Sequence, residues 1–167
     1  RAWAADHPEV VKGMQALFNQ DNGTGRVQSI GLQGLVGAVP QLAAWVAQLP
    51  TELSTDLKLQ IPGAPGRGGT DNASFICFGA PAFGLSSLPW EYFSYTWHTN
   101  RDTYDKLFFD ELRSNATLTA MLAYLAADDP VTVPRDRRVL APDQTTKQPQ
   151  SWPECSPAAR TSQESRR

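Results

Sequence analysis

Short apolar runs alternate along this chain with stretches of helical three-four spacing, and glycine, proline or asparagine punctuates each change. Met14–Asn19 and Ala80–Leu85 read as buried strands, Leu57–Ile61 as another, and Arg26–Leu32 alternates weakly as a fourth. Val39, Leu42, Ala43, Val46 and Leu49 fall on one helical face. Pro40 is tolerated only in the first turn of that helix, and Pro50 ends it. Leu118, Met121, Leu122 and Leu125 mark the buried face of a last helix, with Asp110 as its expected N-cap and Asp128-Asp129-Pro130 as its close. Ala2 to Lys12 reads as the end of a helix stopped by Gly13. The alternation predicts an α/β fold, a sheet packed between helices.

The 167 residues suffice for one ordinary domain, and 41% hydrophobic residues can fill its core. No apolar run approaches the length of a membrane span. Fifteen basic against 17 acidic residues leave a net charge of −2, which argues against non-specific nucleic-acid binding. The acidic excess lies before Pro134 and a basic excess comes after it. The stretch 134–167 is rich in proline and poor in aliphatic residues, so it is expected to be an extended or disordered tail anchored at Trp152-Pro153. Residues 1–133 are then the globular part. The first residue is Arg1, so the chain reads as a fragment or a processed piece.

Two cysteines, Cys77 and Cys155, exclude a thiolate zinc finger and leave a disulfide open. Within Phe75-Ile76-Cys77-Phe78, Cys77 reads as a small buried hydrophobe. Cys155, in a polar setting, reads as exposed and either paired or reactive.

Few residues can carry chemistry. His7 reads as a solvated surface side chain. His98 lies in Tyr95-Thr96-Trp97-His98-Thr99-Asn100-Arg101-Asp102-Thr103, an aromatic-rich loop of the kind that carries function on a rigid scaffold. Asp21 directly follows an apolar strand, where ligands bind in open α/β sheets, although Asp21-Asn22-Gly23 is also ordinary turn chemistry. Asp71 sits where a glycine loop enters an apolar segment, as a short-helix cap or a proton acceptor. Arg67, in the same loop, can face solvent or bind a substrate carboxylate. Phe75, Phe78, Phe83, Trp90, Tyr92 and Phe93 offer core or apolar lining. There is no Gly-x-Ser-x-Gly elbow, no His-Glu-x-x-His and no phosphate-binding glycine loop. Asn22-Gly23-Thr24, Asn72-Ala73-Ser74 and Asn115-Ala116-Thr117 fit the glycosylation pattern but carry little weight.

Three segments in order, Phe18-Asn19-Gln20-Asp21-Asn22-Gly23-Thr24-Gly25, Gly68-Gly69-Thr70-Asp71-Asn72-Ala73-Ser74-Phe75 with Gly79-Ala80-Pro81-Ala82, and Trp97-His98-Thr99-Asn100-Arg101-Asp102-Thr103-Tyr104-Asp105-Lys106, resemble the M28 family of zinc peptidases. The resemblance runs from about residue 1 to 130. It implies the C-terminal part of a mixed-sheet zinc exopeptidase fold with helices on both faces. It also implies two zinc ions at the carboxyl edge of the sheet, a peptide substrate and an extracytoplasmic location. By that similarity Asp21 and His98 are metal ligands, both of ordinary zinc-donor type. Asp102 and Thr103 would fix the loop or orient the imidazole.

Two positions depart from the family pattern. Asn72 stands where the family has His after Asp, which leaves the role of Asp71 open. Trp97 stands where many members have Tyr, and an indole cannot act as a phenolic acid. The family's His-x-Asp segment and Glu-Glu pair, the latter carrying the general base, are absent from the 167 residues. The resemblance therefore implies that the N-terminal half of the domain is missing and that the isolated chain is inactive. A glutaminyl cyclase of the same fold, or a metal-free binding module, is the alternative.

Overall fold

The computed structural model describes residues 1–156. Four strands form one mixed sheet: β1 (Leu17–Gln20), β2 (Val27–Gly31), β3 (Lys58–Gln60) and β4 (Ala82–Ser87), in the order β1-β4-β2-β3. β1 and β4 run parallel, with Leu17 opposite Ala82 and Gln20 opposite Leu85. β2 runs antiparallel to β4 and parallel to β3. All four strand segments expected from the apolar runs are present, each trimmed or shifted by a few residues.

Among the described residues six α-helices accompany the sheet: α1 (Ala2–Asp6), α2 (Pro8–Gly13), α3 (Val39–Val46), α4 (Thr51–Ser54), α5 (Ala73–Ile76) and α6 (Phe109–Asp128). The single N-terminal helix expected over Ala2–Lys12 is two helices. Pro8 has no N–H to continue the first and serves as the first residue of the second. The long helix is not capped by Asp110: Phe108 is the N-cap, and Asp110 sits in the first turn, where its charge still suits the helix dipole. Asp71 does not cap α5 either. Its carbonyl accepts the Ser74 N–H, and no side-chain cap bond forms.

The main core lies between the sheet and α3 and α6. It contains Ile30, Leu35, Leu42, Trp45, Phe83, Leu118 and Leu122, all at most 3% exposed. Each such leucine contributes about 1.5–3 kcal/mol through burial. Phe83 and Leu85 face this core, so the intervening Gly84 faces the other side, as strand alternation requires. There the Asn72 amide and the Gln33 amide approach Gly84, which has no Cβ to obstruct them. A smaller cluster of Ala4, Val11 and Ala80, with Phe75 and Phe78 packed on it, joins the N-terminal helices to this second face.

Asn115, a position matching the glycosylation pattern, is only 3% exposed on α6. Its Nδ2 donates to Gly25 O at 2.8 Å and its Oδ1 accepts from Val27 N at 2.9 Å. One side chain thus pins the turn after Asp21 onto the long helix, and folded burial removes it as a glycan acceptor.

Residues 134–156 form no helix and only an isolated bridge and a turn at 144–146, yet they lie fastened to the domain. Leu35 and Arg137 form an antiparallel bridge. Arg135 Nη2 donates to the carbonyls of Val11, Lys12 and Met14 at the C-terminal end of α2, where a cation suits the free carbonyls. Trp152, the expected anchor, donates from Nε1 to Ile76 O at 3.2 Å, packs on Gly34 and carries the Arg137 guanidinium over its ring. Cys77 is not a free buried thiol: it forms a disulfide with Cys155. The rest of the expected disordered tail, 157–167, lies outside the described residues.

Two outcomes test this packing. Asn115→Ala leaves two buried backbone groups unpaired and should lower stability by about 2 kcal/mol in urea unfolding. Asp129, just past α6, accepts from the Val131 N–H, the Trp45 indole and the Gln41 amide, and these bonds hold its carboxyl below the usual range. As pH falls the unfolded chain takes up that proton first, so the stabilisation is full above the ordinary carboxylate pKa and is lost progressively as pH drops from there through the lowered folded-state value. Asp129→Asn should flatten the acid limb of a stability–pH curve measured by chemical unfolding. An unchanged slope would show that Asp129 does not contribute to it.

Candidate functional site

Because β1 and β4 are parallel neighbours, their carboxyl ends reach the same edge of the sheet. Asp21 is the first residue beyond β1, and the loop that leaves β4 carries Trp97, His98, Asp102 and Thr103 before it enters α6. The turn after Asp21 is held close to that loop. The Gln20 amide donates to Ser87 Oγ at 2.9 Å, Leu88 N donates to Arg26 O at 2.9 Å, and Thr24 Oγ1 donates to Lys106 O at 3.5 Å. Gly25 is required there, since a Cβ would lie 2.1 Å from Leu88 O. Arg26 adds an ion pair with Glu111 at 2.6 Å, exposed enough to contribute under about 1 kcal/mol.

The β4–α6 loop is unusually constrained. Trp90, Glu91 and His98 all have positive φ, at 36°, 61° and 57°. Such backbone is uncommon for residues with a Cβ and persists only where surrounding contacts impose it. A π-helical turn at Tyr92–Thr96 separates the first two from the third. His98 is exposed and stacks on Trp97, with ring centroids 4.2 Å apart.

Tyr92 joins the pieces. Its ring covers Gly23, whose φ of 77° and contact with the ring leave no room for a side chain. Burial raises the Tyr92 phenol above its ordinary value, and the carboxylates of Asp102 and Asp21 raise it further. Asp21 and Asp102, far apart in sequence, thus act on one hydroxyl. From the sequence Tyr92 reads only as core or apolar lining, because nothing local distinguishes it within an aromatic run.

Two cavities lie on either side of the turn that follows β1, and Asp21 lines the second of them. One, of about 220 Å³, is lined by Gly23–Gly25, Trp90, Tyr92, Tyr95, Asp102 and Phe108 among others. The other, of about 230 Å³ and polar, is lined by Asn19, Asp21, Asn22, Gln33, Thr70 and Asn72 among others, below the glycine loop. Asn72, at the position where the resemblance expects His, is 5% exposed and its Oδ1 accepts from Thr70 Oγ1. Asn22 Oδ1, in the same cavity, is buried with no partner among the described residues. Asp71 itself is exposed and is not among the residues lining either cavity.

The other expected site residues take different places. Thr103 Oγ1 donates to Asp105 Oδ1 at 2.6 Å, so it fixes its own loop. Asp102 has no hydrogen bond to His98, and its carboxylate carries no hydrogen bond or ion pair among the described residues. Arg67 points to the C-terminal segment, where Nη2 donates to Ser151 O at 2.8 Å. It lines a separate groove with Asp143, Thr146 and Gln148.

A zinc site needs three or four donors in one cluster. Among the described residues no group of three or more His, Cys, Asp or Glu side chains gathers to hold a metal. Asp21 and His98 are suitable donors, but the described residues alone do not compose a metal site.

A family model described as peptidase family M28 matches residues 1–123. The fold is similar to that of a peptidase M28 precursor from Shewanella amazonensis SB2B, with a TM-score of 0.63 and 24% sequence identity. That likeness covers 85% of this chain and 30% of the Shewanella chain, so this chain spans under a third of that protein. No curated protein matches the chain.

The electrostatic coupling at Tyr92 can be measured. Ultraviolet titration, taken as the difference from Tyr92→Phe, should place the phenol above its ordinary pKa. Asp102→Asn and Asp21→Asn should each lower it, with the larger drop from Asp102. A phenol that titrates normally in the parent chain would show that Asp21 and Asp102 do not act on it.

Proposed function

Because the chain belongs to peptidase family M28, we propose that it is the ligand-bearing C-terminal part of a two-zinc exopeptidase that cleaves terminal peptide bonds. Asp21 and His98 are the metal donors it contributes. The observation that supports this reading is the parallel pairing of β1 and β4, which brings Asp21, directly after β1, and the start of the loop that carries His98 to one edge of the sheet. In the open α/β architecture that edge is where ligands bind. Trp97 stacks on His98, and the carboxylates of Asp102 and Asp21 both act on the Tyr92 phenol.

The chain on its own is inactive in this reading. It contains no Glu-Glu pair to supply a general base, and two donors cannot complete either tetrahedral site. The missing donors come from a segment that completes the domain. A disulfide between Cys77 and Cys155 supports an extracytoplasmic location, since such bonds persist in oxidising compartments. No helix of the described residues is long and apolar enough to cross a membrane.

In the whole protein that carries this chain, His98→Ala should abolish hydrolysis of short peptides and lower the zinc content. Direct metal analysis of the unsubstituted protein should return two ions per chain. Unchanged turnover in the variant would remove His98 from the site, and a metal-free parent would favour a binding module of the same fold.

A further inference from the structure

The cavity between the turn at Gly23–Gly25 and the β4–α6 loop has a specific chemistry. Its walls are aromatic: Trp90 and Phe108 meet edge to face with centroids 4.6 Å apart, and Tyr92 and Tyr95 complete the lining. Three charged residues line it, Asp102, Asp105 and Lys106. Two of these neutralise each other. The Lys106 ammonium donates to Asp105, and together with the Thr103 hydroxyl it pulls the Asp105 carboxyl down to about 2. Asp102 is left as the carboxylate with no ion-pair or hydrogen-bond partner among the described residues. The cavity therefore carries one uncompensated negative charge among ring faces.

Ring faces are negative, and a carboxylate beside them adds to the attraction for a cation. The loop already displays this preference, since the Arg101 guanidinium lies 4.9 Å from the Tyr95 ring centroid. Arg101 does not line the cavity itself, so Trp90, Tyr92 and Phe108 remain available to a guest. A volume of about 220 Å³ suits one long side chain rather than a folded peptide.

We propose that this cavity is a side-chain subsite selective for a cationic residue, arginine or lysine, with Asp102 as the charge partner and Trp90 and Phe108 as the apolar walls. The assignment rests on the peptidase reading above, because it supplies that enzyme with a substrate class. The aliphatic stem of the guest lies along the Trp90–Phe108 pair, and its charged head reaches Asp102. The acidic excess of the chain before Pro134 attracts the same substrates at long range. Trp90 and Phe108 are 43% and 56% exposed, so the rings that wall the cavity are accessible to a guest.

The test is equilibrium binding to the full 167-residue chain without metal, read by tryptophan fluorescence and by the shift of the Trp90 indole N–H in NMR spectra. The probes are Nα-acetyl-arginine amide, its uncharged isostere Nα-acetyl-citrulline amide, and Nα-acetyl-norleucine amide. The arginine probe should saturate and bind about tenfold more tightly than citrulline. Asp102→Asn should erase that difference, and Asp143→Asn, an acidic residue of the separate groove, should not. Equal binding of citrulline or norleucine, an unaltered preference in Asp102→Asn, or no saturable response to arginine would overturn the proposal. Asp102 is exposed, so its variant should keep the parent circular dichroism; Trp90→Leu provides a second, charge-independent loss of affinity. No turnover enters these measurements, so their failure leaves the His98→Ala result standing, and the reverse also holds.

Discussion

Everything at the candidate site hangs on the parallel pairing of β1 with β4. Parallel neighbours bring their carboxyl ends to one edge, and that geometry carries Asp21 and the start of the β4–α6 loop to the same rim. The pairing would not suffice without a clamp on the turn beyond β1. Asn115 provides it, reaching from α6 to hold both Gly25 and Val27, while Gly23 and Gly25 let Tyr92 and Leu88 close over the turn. A carboxylate, a phenol and an aromatic loop are thereby held together by backbone hydrogen bonds and close packing, with the exposed Arg26–Glu111 pair adding little.

The second face of the sheet is organised by absence of side chains. Gly84 opens the strand surface, and the amides of Asn72 and Gln33 fill the space. The glycine loop that brings Asn72 there is itself tied to the C-terminal segment through the bond from Arg67 to Ser151, close to the docked Trp152 and the disulfide from Cys77 to Cys155. Arg67 therefore serves to hold two loops together, and its guanidinium is directed away from Asp21's polar cavity toward a separate groove.

Much of the fold was legible from the residue pattern. Four apolar runs correspond to the four strands, and the two well-spaced helical faces correspond to α3 and α6. The misread points share one cause: local signals cannot say how a neighbour will satisfy the backbone. Pro8 broke the first helix because its missing N–H begins a new one, and Asp110 yielded the cap position to Phe108. α4 and α5, each only four residues long, have too little periodicity to be read. Cys77 reads as a buried hydrophobe but is half-buried and paired, and the pairing is not legible because its partner lies 78 residues away.

At the site, the residue types and their order belong to the chain itself: Asp21 after a strand, His98 in an aromatic loop, and an asparagine where a titratable histidine would be expected. No folding alters those properties. Which of these groups act on one another was settled by the fold. It brought Asp21 and Asp102 to bear on Tyr92, turned Thr103 toward Asp105, drew Arg67 to the C-terminal segment and left Asp102 unpaired among ring faces. Spacing along a chain fixes which groups exist, whereas charge and hydrogen bonding act through a few ångströms of space, and that distance is set by strand register and loop packing.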